Sequence, residues 1–311
     1  MRFDVSFFGV AVVCFFFAMN SDLKVKLDSQ RNLLRAEFRT YSQAFLQLDQ
    51  HLQNIQLIAT ADGSHSLFNV TLNETYHSRH GAMQESQWVF IKNGLASAVG
   101  ERSRTTLGHR ILEVGFGTGL NALLAMRWAE EHKVPVHFTT LETHVLPMEV
   151  AQQLNYSDAD LSEWPMFERS REQIPSQQNP VPERGSTALT NRRGQNMREQ
   201  FLLMHSCPWN EDIAITPLFT LHKALREVQS EASEAQYDVI FFDAFGPPTQ
   251  PEMWTPDIFT RMFNALRLGG ILVTYCAKGQ VRRDMQAVGF TVERLPGPPG
   301  KREMLRATKP H

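Results

Sequence analysis

Cysteine is scarce: the 311-residue chain has three, Cys14, Cys207 and Cys276. None lies in a C-x-x-C pair or beside a metal-spaced histidine group, which disfavours a disulfide framework, a structural zinc and an iron–sulfur cluster. No metal is expected. An excess of charge is missing too, since 31 Lys and Arg face 33 Asp and Glu for a formal net charge of −2. That balance argues against a surface that coats nucleic acid throughout, but leaves room for a local basic face. Collagen-like, coiled-coil and wholly disordered chains are excluded by composition. What remains, at 42% hydrophobic residues, is a length that suits one large domain or two modest ones with a sizeable core. A soluble mixed α/β enzyme fits best.

The N-terminus has a different character. Residues 7–19 read FFGVAVVCFFFAM, thirteen residues without a charge, short of the roughly 20 that span a bilayer comfortably. Three readings stand: a signal or anchor segment, an upstream in-frame extension with Met19 as the true start, or a buried N-terminal element. The flanks suit a signal poorly, because Arg2 is offset by Asp4 and no A-x-A site precedes Asn20. A start at Met19 gives an ordinary cytoplasmic beginning, and a cytoplasmic location is expected. The extension is set at 1–19, followed by a polar helical segment at 20–57.

Beyond it, residues 58–109 carry turn residues around short β-rich runs, predicting hairpins at 66–70 and 75–77 and a helix over 83–92. From Arg110 the texture becomes alternating strand and helix. Strands are predicted at 111–114, 136–141, 237–242 and 271–275, helices at 121–128 and 145–155, and two short closing strands at 291–294 and 304–307. This rhythm predicts a doubly wound, mostly parallel sheet over 110–307 with antiparallel closure at its C-terminal end. One stretch interrupts it. Residues 169–199 hold only five apolar residues among prolines, glutamines and arginines, too few to offset ordering entropy, and are expected to be a disordered insertion.

The most informative local motif is EVGFGTGLN, residues 113–121. Gly115, Gly117 and Gly119 permit a tight turn and close ligand approach. The spacing is G-x-G-x-G and not G-x-G-x-x-G, which disfavours a dinucleotide pyrophosphate. Glu113 at the strand end, with no phosphate-cradling lysine, suits a cationic or zwitterionic adenosine ligand, S-adenosylmethionine. Glu142, ending the next strand, can accept both ribose hydroxyls. Either acid alone could be an ordinary solvated strand end. Asp243 opens DAFGPPTQPEMW at the carboxyl end of a buried strand, the edge that lines the crevice in open α/β sheets. A helix N-cap is the plainer role for it, though Pro247 and Pro248 stand in the way.

The series DGSHSLFN, ETYHS, GAMQES, VGFGTGLN, DAFGPPTQPEMWTPDIF and LGGILVTYCAKGQVRRDMQAVGFTVERLPGPPGKREML resembles the methyltransferase family that completes 5-methylaminomethyl-2-thiouridine at the tRNA wobble position. The resemblance runs over about 58–307 apart from the insertion. It implies a Rossmann-like class I methyltransferase fold and methyl transfer from S-adenosylmethionine to the aminomethyl nitrogen of the modified uridine in the anticodon loop. In many family members this domain is fused to an FAD-dependent oxidase. The residues after Ala307 do not accommodate one, so the stand-alone form without FAD is implied. The resemblance also assigns cofactor contacts to Glu113, Gly115, Phe116, Gly117, Gly119, Asn121 and Glu142, and the active-site aspartate to Asp243. Two features depart from the family: no Asp follows the third strand near FTLHKA to meet the adenine edge, and the insertion and N-terminal extension are additional.

Chemistry adds a requirement. A primary amine must be neutral to attack, and an unperturbed aspartate near pKa 3.9 is a weak base for an ammonium. Asp243 is therefore expected to accept N–H bonds, aim the lone pair and stabilise the forming cation. Tyr76, Phe245 and Trp254 are candidates to stack on the base, and plain core packing is the other reading of each. Between 278 and 311 eight Lys and Arg face three acids, an excess suited to RNA phosphate. Lys301 and Arg302 are the candidate phosphate clamp, while Arg282 and Arg283 read equally as solvated helix residues. A polyamine aminopropyltransferase is the second enzyme reading, and a non-catalytic membrane-tethered RNA-binding protein the third. No stable membrane partner is expected unless 1–19 is an anchor.

Overall fold

Eight strands in the order β10-β11-β9-β8-β4-β5-β7-β6 form the main sheet of a computed structural model that describes residues 54–98, 108–157 and 187–311. Its parallel centre comprises β4 (His109–Val114), β5 (Val136–Glu142), β7 (Phe219–Leu225), β8 (Tyr237–Phe242) and β9 (Leu266–Thr274). Antiparallel strands close both edges: β6 (Asp212–Thr216) beside β7, and β11 (Glu303–Thr308) then β10 (Thr291–Pro296) beyond β9. The doubly wound α/β expectation holds. Antiparallel closure at the β6 edge was not anticipated from sequence, and the extension 1–19 lies outside the described residues.

Alternation along the central strands supplies two core faces. Phe241 of β8 packs against Phe90 and Phe138 on one side. Leu112, Ile240, Phe242 and Leu272 join the opposite cluster with Ile258, Phe259, Val281 and Met285. Those last four come from two helices, at Pro256–Ala265 and Gly279–Ala287. The first is begun by Thr255, whose hydroxyl accepts from Ile258 N, with Pro256 at the favoured first position.

The N-terminal part forms a separate antiparallel sheet of β1 (Ile55–Ala59), β2 (His65–Asn69) and β3 (Glu74–Thr75). Ile55 and Gln56, expected to end a polar helix, instead begin a strand. The TADGS turn after β1 also caps the following helix, Ala82–Ser86, whose own N-cap residue Gly81 has no side chain to offer. Its first free amides are accepted from a distance: Ala82 N by Thr60 Oγ1 at 3.2 Å, Met83 N by Ser64 Oγ at 3.1 Å and Gln84 N by Asp62 Oδ2 at 3.0 Å. Wide π-type turns over Gln87–Ala96 continue that helix onto the sheet. There Gly94 is so close that a Cβ would meet Phe241 and Val273 at 3.0 Å.

Two helical expectations are corrected. A helix over 145–155 is reduced to Met148–Ala151, because Pro147 delays its start and Asn155 is drawn off to bond His65 N and Gly63 O. Of residues 169–199, expected to be disordered, 187–199 belong to a helix, Thr187–Ser206, and 169–186 lie outside the described residues. Met197, Phe201 and Met204, spaced four and three apart, are buried at 9%, 0% and 0% exposure, and Arg198 donates to Leu154 O and Gln152 O. This anchoring stripe sits where the polar run ends. Phe201→Ala should cost about 3–5 kcal/mol in denaturant unfolding; a loss under about 1 kcal/mol would mean the helix is only loosely attached.

Candidate functional site

Strand β4 is where connections diverge, running to β5 on one side while β8 pairs on the other. Such a switch point opens a crevice at the carboxyl ends of the strands. Both candidate motifs emerge there. The glycine turn leaves β4, and Asp243 leaves β8 with its amide bonded to Val114 O at 3.2 Å. Gly115 has φ +94°, and a Cβ on it would approach Asp243 O to 3.2 Å. At Gly117, φ is +50° and a Cβ would meet the Tyr76 ring at 3.2 Å. Side chains at either position would fill the space the turn leaves free.

Glu142 ties this turn down. One carboxylate oxygen accepts Gly117 N at 3.0 Å, and the other accepts Thr143 N and His144 N at 2.7 and 2.9 Å. Glu113 is fully buried, with one oxygen accepting Thr140 Oγ1 at 2.7 Å and the other without a hydrogen-bond partner among the described residues. Burial raises its pKa well above the ordinary carboxylate value, against the pull of the Thr140 hydrogen bond, and the neighbouring Asp243 charge adds to the rise. Asn121, at 3% exposure, donates to Asp243 Oδ2 at 2.8 Å while its own oxygen is unpartnered.

Asp243 differs from the unperturbed aspartate of the sequence reading. Burial first, then the charge of Glu85, pushes its pKa well up, against the Asn121 hydrogen bond and Lys301. It caps no helix: the short 3₁₀ turn Pro251–Trp254 and the helix Pro256–Ala265 that follow have Gln250 and Thr255 at their N-caps.

The remaining candidates separate. Tyr76 and Phe245 meet edge to face at 5.1 Å and are half-buried between the glycine turn and Asp243. Phe116 is buried against His205 and Trp209. Trp254, a candidate to stack on a base, is instead core: 5% exposed, it donates to Phe245 O at 2.8 Å and packs on Phe242 and Phe259. Lys301 is also displaced from its expected role. Its ammonium pairs with Glu85 and lies 3.8 Å from the centre of the Tyr275 ring, so it faces the cleft and not a free phosphate surface. Arg302 is exposed.

Sequence reasoning missed Glu85 and His77, although both lie inside quoted motifs, GAMQES and ETYHS. His77 Nε2 meets Thr118 Oγ1 at 3.0 Å, and His205 Nε2 donates to Thr118 O at 3.1 Å from behind the turn. No local pattern distinguishes such histidines; tertiary packing brings them together. Among the described residues no group of three or more His, Cys, Asp or Glu is placed to hold a metal. No helix among them is long and apolar enough to cross a membrane.

Residues 195–310 match the S-adenosyl-L-methionine-dependent methyltransferase family. The chain is 29% identical over 245 residues to the tRNA 5-methylaminomethyl-2-thiouridine biosynthesis bifunctional protein MnmC of Pseudomonas fluorescens, covering 75% of this chain and 32% of that protein. It is 28% identical over 263 residues to the protein of that name from Cupriavidus metallidurans, covering 82% and 34%. The chain thus spans about a third of the length of these curated relatives. The crystal structure of MNMC2 from Aquifex aeolicus superposes with a TM-score of 0.57 at 24% identity, covering 90% of this chain and 83% of that one, and supports the fold.

Buried titratable groups make the site pH-sensitive in two opposite senses. Burial lowers the pKa of His205 from 6.5 to about 4. Between those values the unfolded chain takes up a proton that the fold refuses, so stability is lost as pH falls. His205→Gln should flatten that acid loss by on the order of 2 kcal/mol. Glu113 has its pKa raised, so above the ordinary carboxylate range the fold keeps a proton that the unfolded chain releases, and stability falls as pH rises. Glu113→Gln should then gain melting temperature over wild type as pH rises above the ordinary carboxylate range. Parallel profiles for wild type and both variants would contradict these assignments.

Proposed function

We propose that this chain, whose residues 195–310 match the S-adenosyl-L-methionine-dependent methyltransferase family, methylates the aminomethyl nitrogen of 5-aminomethyl-(2-thio)uridine at the tRNA wobble position. The observation that carries this reading is the pairing of the glycine turn with Asp243 at one switch point, where Asn121 of the turn's helix bonds the Asp243 carboxylate. Cofactor site and acceptor site are thereby one structure.

The residues present fit the cofactor. Gly115 and Gly117 leave a cradle that a Cβ would fill. Glu113 and Asn121 each hold a buried oxygen without a partner, suited to the amino group of a zwitterion. Glu142 retains lone pairs for ribose hydroxyls. Its register partner on β7 is Leu225, which is exposed at 47%, as is Val145 at 43%. An apolar surface beside the ribose carboxylate suits a purine and would take the place of the adenine-edge aspartate that this sequence lacks. Bound there, S-adenosylmethionine supplies an electrophilic methyl group.

The chain's own residues handle the acceptor. Tyr76 and Phe245 would flank the base, which leaves an anticodon loop at little unstacking cost. An alkylammonium entering beside Asp243 favours the ionised carboxylate that burial otherwise opposes. The Asp243 carboxylate stays ionised while the ammonium loses its proton to water before attack. It then accepts an N–H bond, aims the lone pair and stabilises the cation that forms. Arg302 and the other exposed cations of the C-terminal part would meet RNA phosphate. The carboxylates Glu74 and Glu85 near Asp243 and Tyr275 favour one second reading, a polyamine acceptor.

A strain lacking the gene should accumulate the aminomethyl or carboxymethylaminomethyl nucleoside in its tRNA by mass spectrometry. Unchanged nucleosides with altered polyamines would select the second reading. Asp243→Ala should cut turnover by roughly 10²-fold or more with cofactor affinity largely kept, and Asp243→Asn should be nearly as poor if charge dominates. Glu142→Ala should weaken S-adenosylmethionine binding by about 1–3 kcal/mol in calorimetry. Full affinity in that variant would remove Glu142 from the cofactor site.

A further inference from the structure

Lys301 occupies an unusual setting for a lysine on a proline-rich turn. Its ammonium is paired with Glu85, whose side chain is 8% exposed, and it lies over the Tyr275 ring at 3.8 Å. A carboxylate on one side and an aromatic face on the other is how proteins bind alkylammonium ions. Both walls are fixed independently of Lys301. Glu85 accepts Ser78 N at 2.8 Å and rides on the helix whose first amides are capped by Thr60, Ser64 and Asp62. Tyr275 donates its hydroxyl to Ala244 O at 2.8 Å, next to Asp243 in the chain. The cage therefore adjoins the residue assigned to the acceptor nitrogen.

We propose that Glu85 and the face of Tyr275 form an alkylammonium subsite beside Asp243, whose resident occupant is the protein's own Lys301 and which the acceptor's aminomethyl group takes over when substrate enters. The inference rests on the reading of the acceptor as an amine. Lys301 is a placeholder: its ammonium keeps the buried Glu85 carboxylate from being left unpaired. Its flexible four-carbon stem lets it yield to a competing ammonium. Released, it lies next to exposed Arg302, where a cation meets RNA phosphate. The subsite selects for a cationic amine; an acceptor carrying a carboxylate would face Glu85 and Asp243 together. Mutual influence between Lys301, Glu85 and Asp243 is visible in the Asp243 carboxyl, which Glu85 pushes up and Lys301 draws down.

Removing the lysine side chain tests this directly. Lys301→Ala deletes the equivalent of n-propylammonium, so n-propylammonium chloride should raise its melting temperature by at least about 2 °C over sodium chloride at equal ionic strength. Wild type and the double variant Lys301→Ala/Glu85→Gln should show no such difference. Equal shifts in all three proteins, or none in Lys301→Ala, would overturn the proposal. Should Lys301→Ala fail to fold, Glu85→Gln decides: it should raise KM for the amine acceptor by about tenfold or more with S-adenosylmethionine affinity unchanged, and an unchanged KM in the folded variant overturns the subsite. Normal tRNA nucleosides in the gene-deleted strain, with the n-propylammonium difference in Lys301→Ala intact, would retire the tRNA reading and keep the subsite. Altered nucleosides in that strain, with no n-propylammonium difference in Lys301→Ala, would do the reverse.

Discussion

Everything in the site follows from the close approach of two chain segments at one point of the sheet. Val114 and Phe242 are register partners at the ends of β4 and β8, and immediately beyond them Gly115 and Asp243 must pass each other. Their separation is set by Asp243 N bonding to Val114 O at 3.2 Å. A side chain at Gly115 would press on the Asp243 carbonyl. Glycine there is thus a packing requirement as well as a conformational one. Because both segments are extensions of fully buried strands, the core itself holds them in place, and Asn121 adds the polar link between them.

Around that fixed point the protein gathers charge in low dielectric. Glu113 and Glu85 are buried and Asp243 is half-buried beside the partly exposed Lys301, and each carboxyl is held against the cost of burial by only a few partners. An arrangement of this kind is costly for the ligand-free fold and suits a site awaiting a positively charged guest. The elements that complete it come from the two ends of the described chain. The hairpin and helix at 65–96 bring Tyr76, His77 and Glu85, while the turn before β11 brings Lys301, with Gly300 lying against His80.

How much of this was legible in the sequence depended on range. The strand YDVIFF, the glycine turn and the paired acids at strand ends could be read directly, because their signals are local: continuous apolar runs, glycine spacing and position relative to a strand. The strand Asp212–Thr216 was missed, since an edge strand of mixed polarity has no clean alternation. The helix at Thr187–Ser206 was hidden behind arginines and glutamines, and only its last turns carry the stripe of Met197, Phe201 and Met204. The choice between stacking and core for Trp254, and the partner of Lys301, were hidden for a different reason. A tryptophan in a proline-rich loop can stack on a ligand or enter the core, and a lysine in a basic tail looks solvent-facing, whereas their partners, Phe259 and Glu85, are decided by tertiary packing. Asp243 was found by its position, but its raised pKa could not be, because burial and the proximity of Glu85 exist only in the fold.

The central claim is that one chain joins a methyl-donor site to an amine acceptor in RNA. The most direct measurement is transfer from S-adenosylmethionine labelled in its methyl group, using the purified chain and tRNA isolated with 5-aminomethyl-uridine at the wobble position. The account predicts one labelled methyl per tRNA, recovered as the methylaminomethyl nucleoside. Label that stays on the cofactor with this tRNA, and appears instead on a free polyamine or another nucleoside, would contradict it.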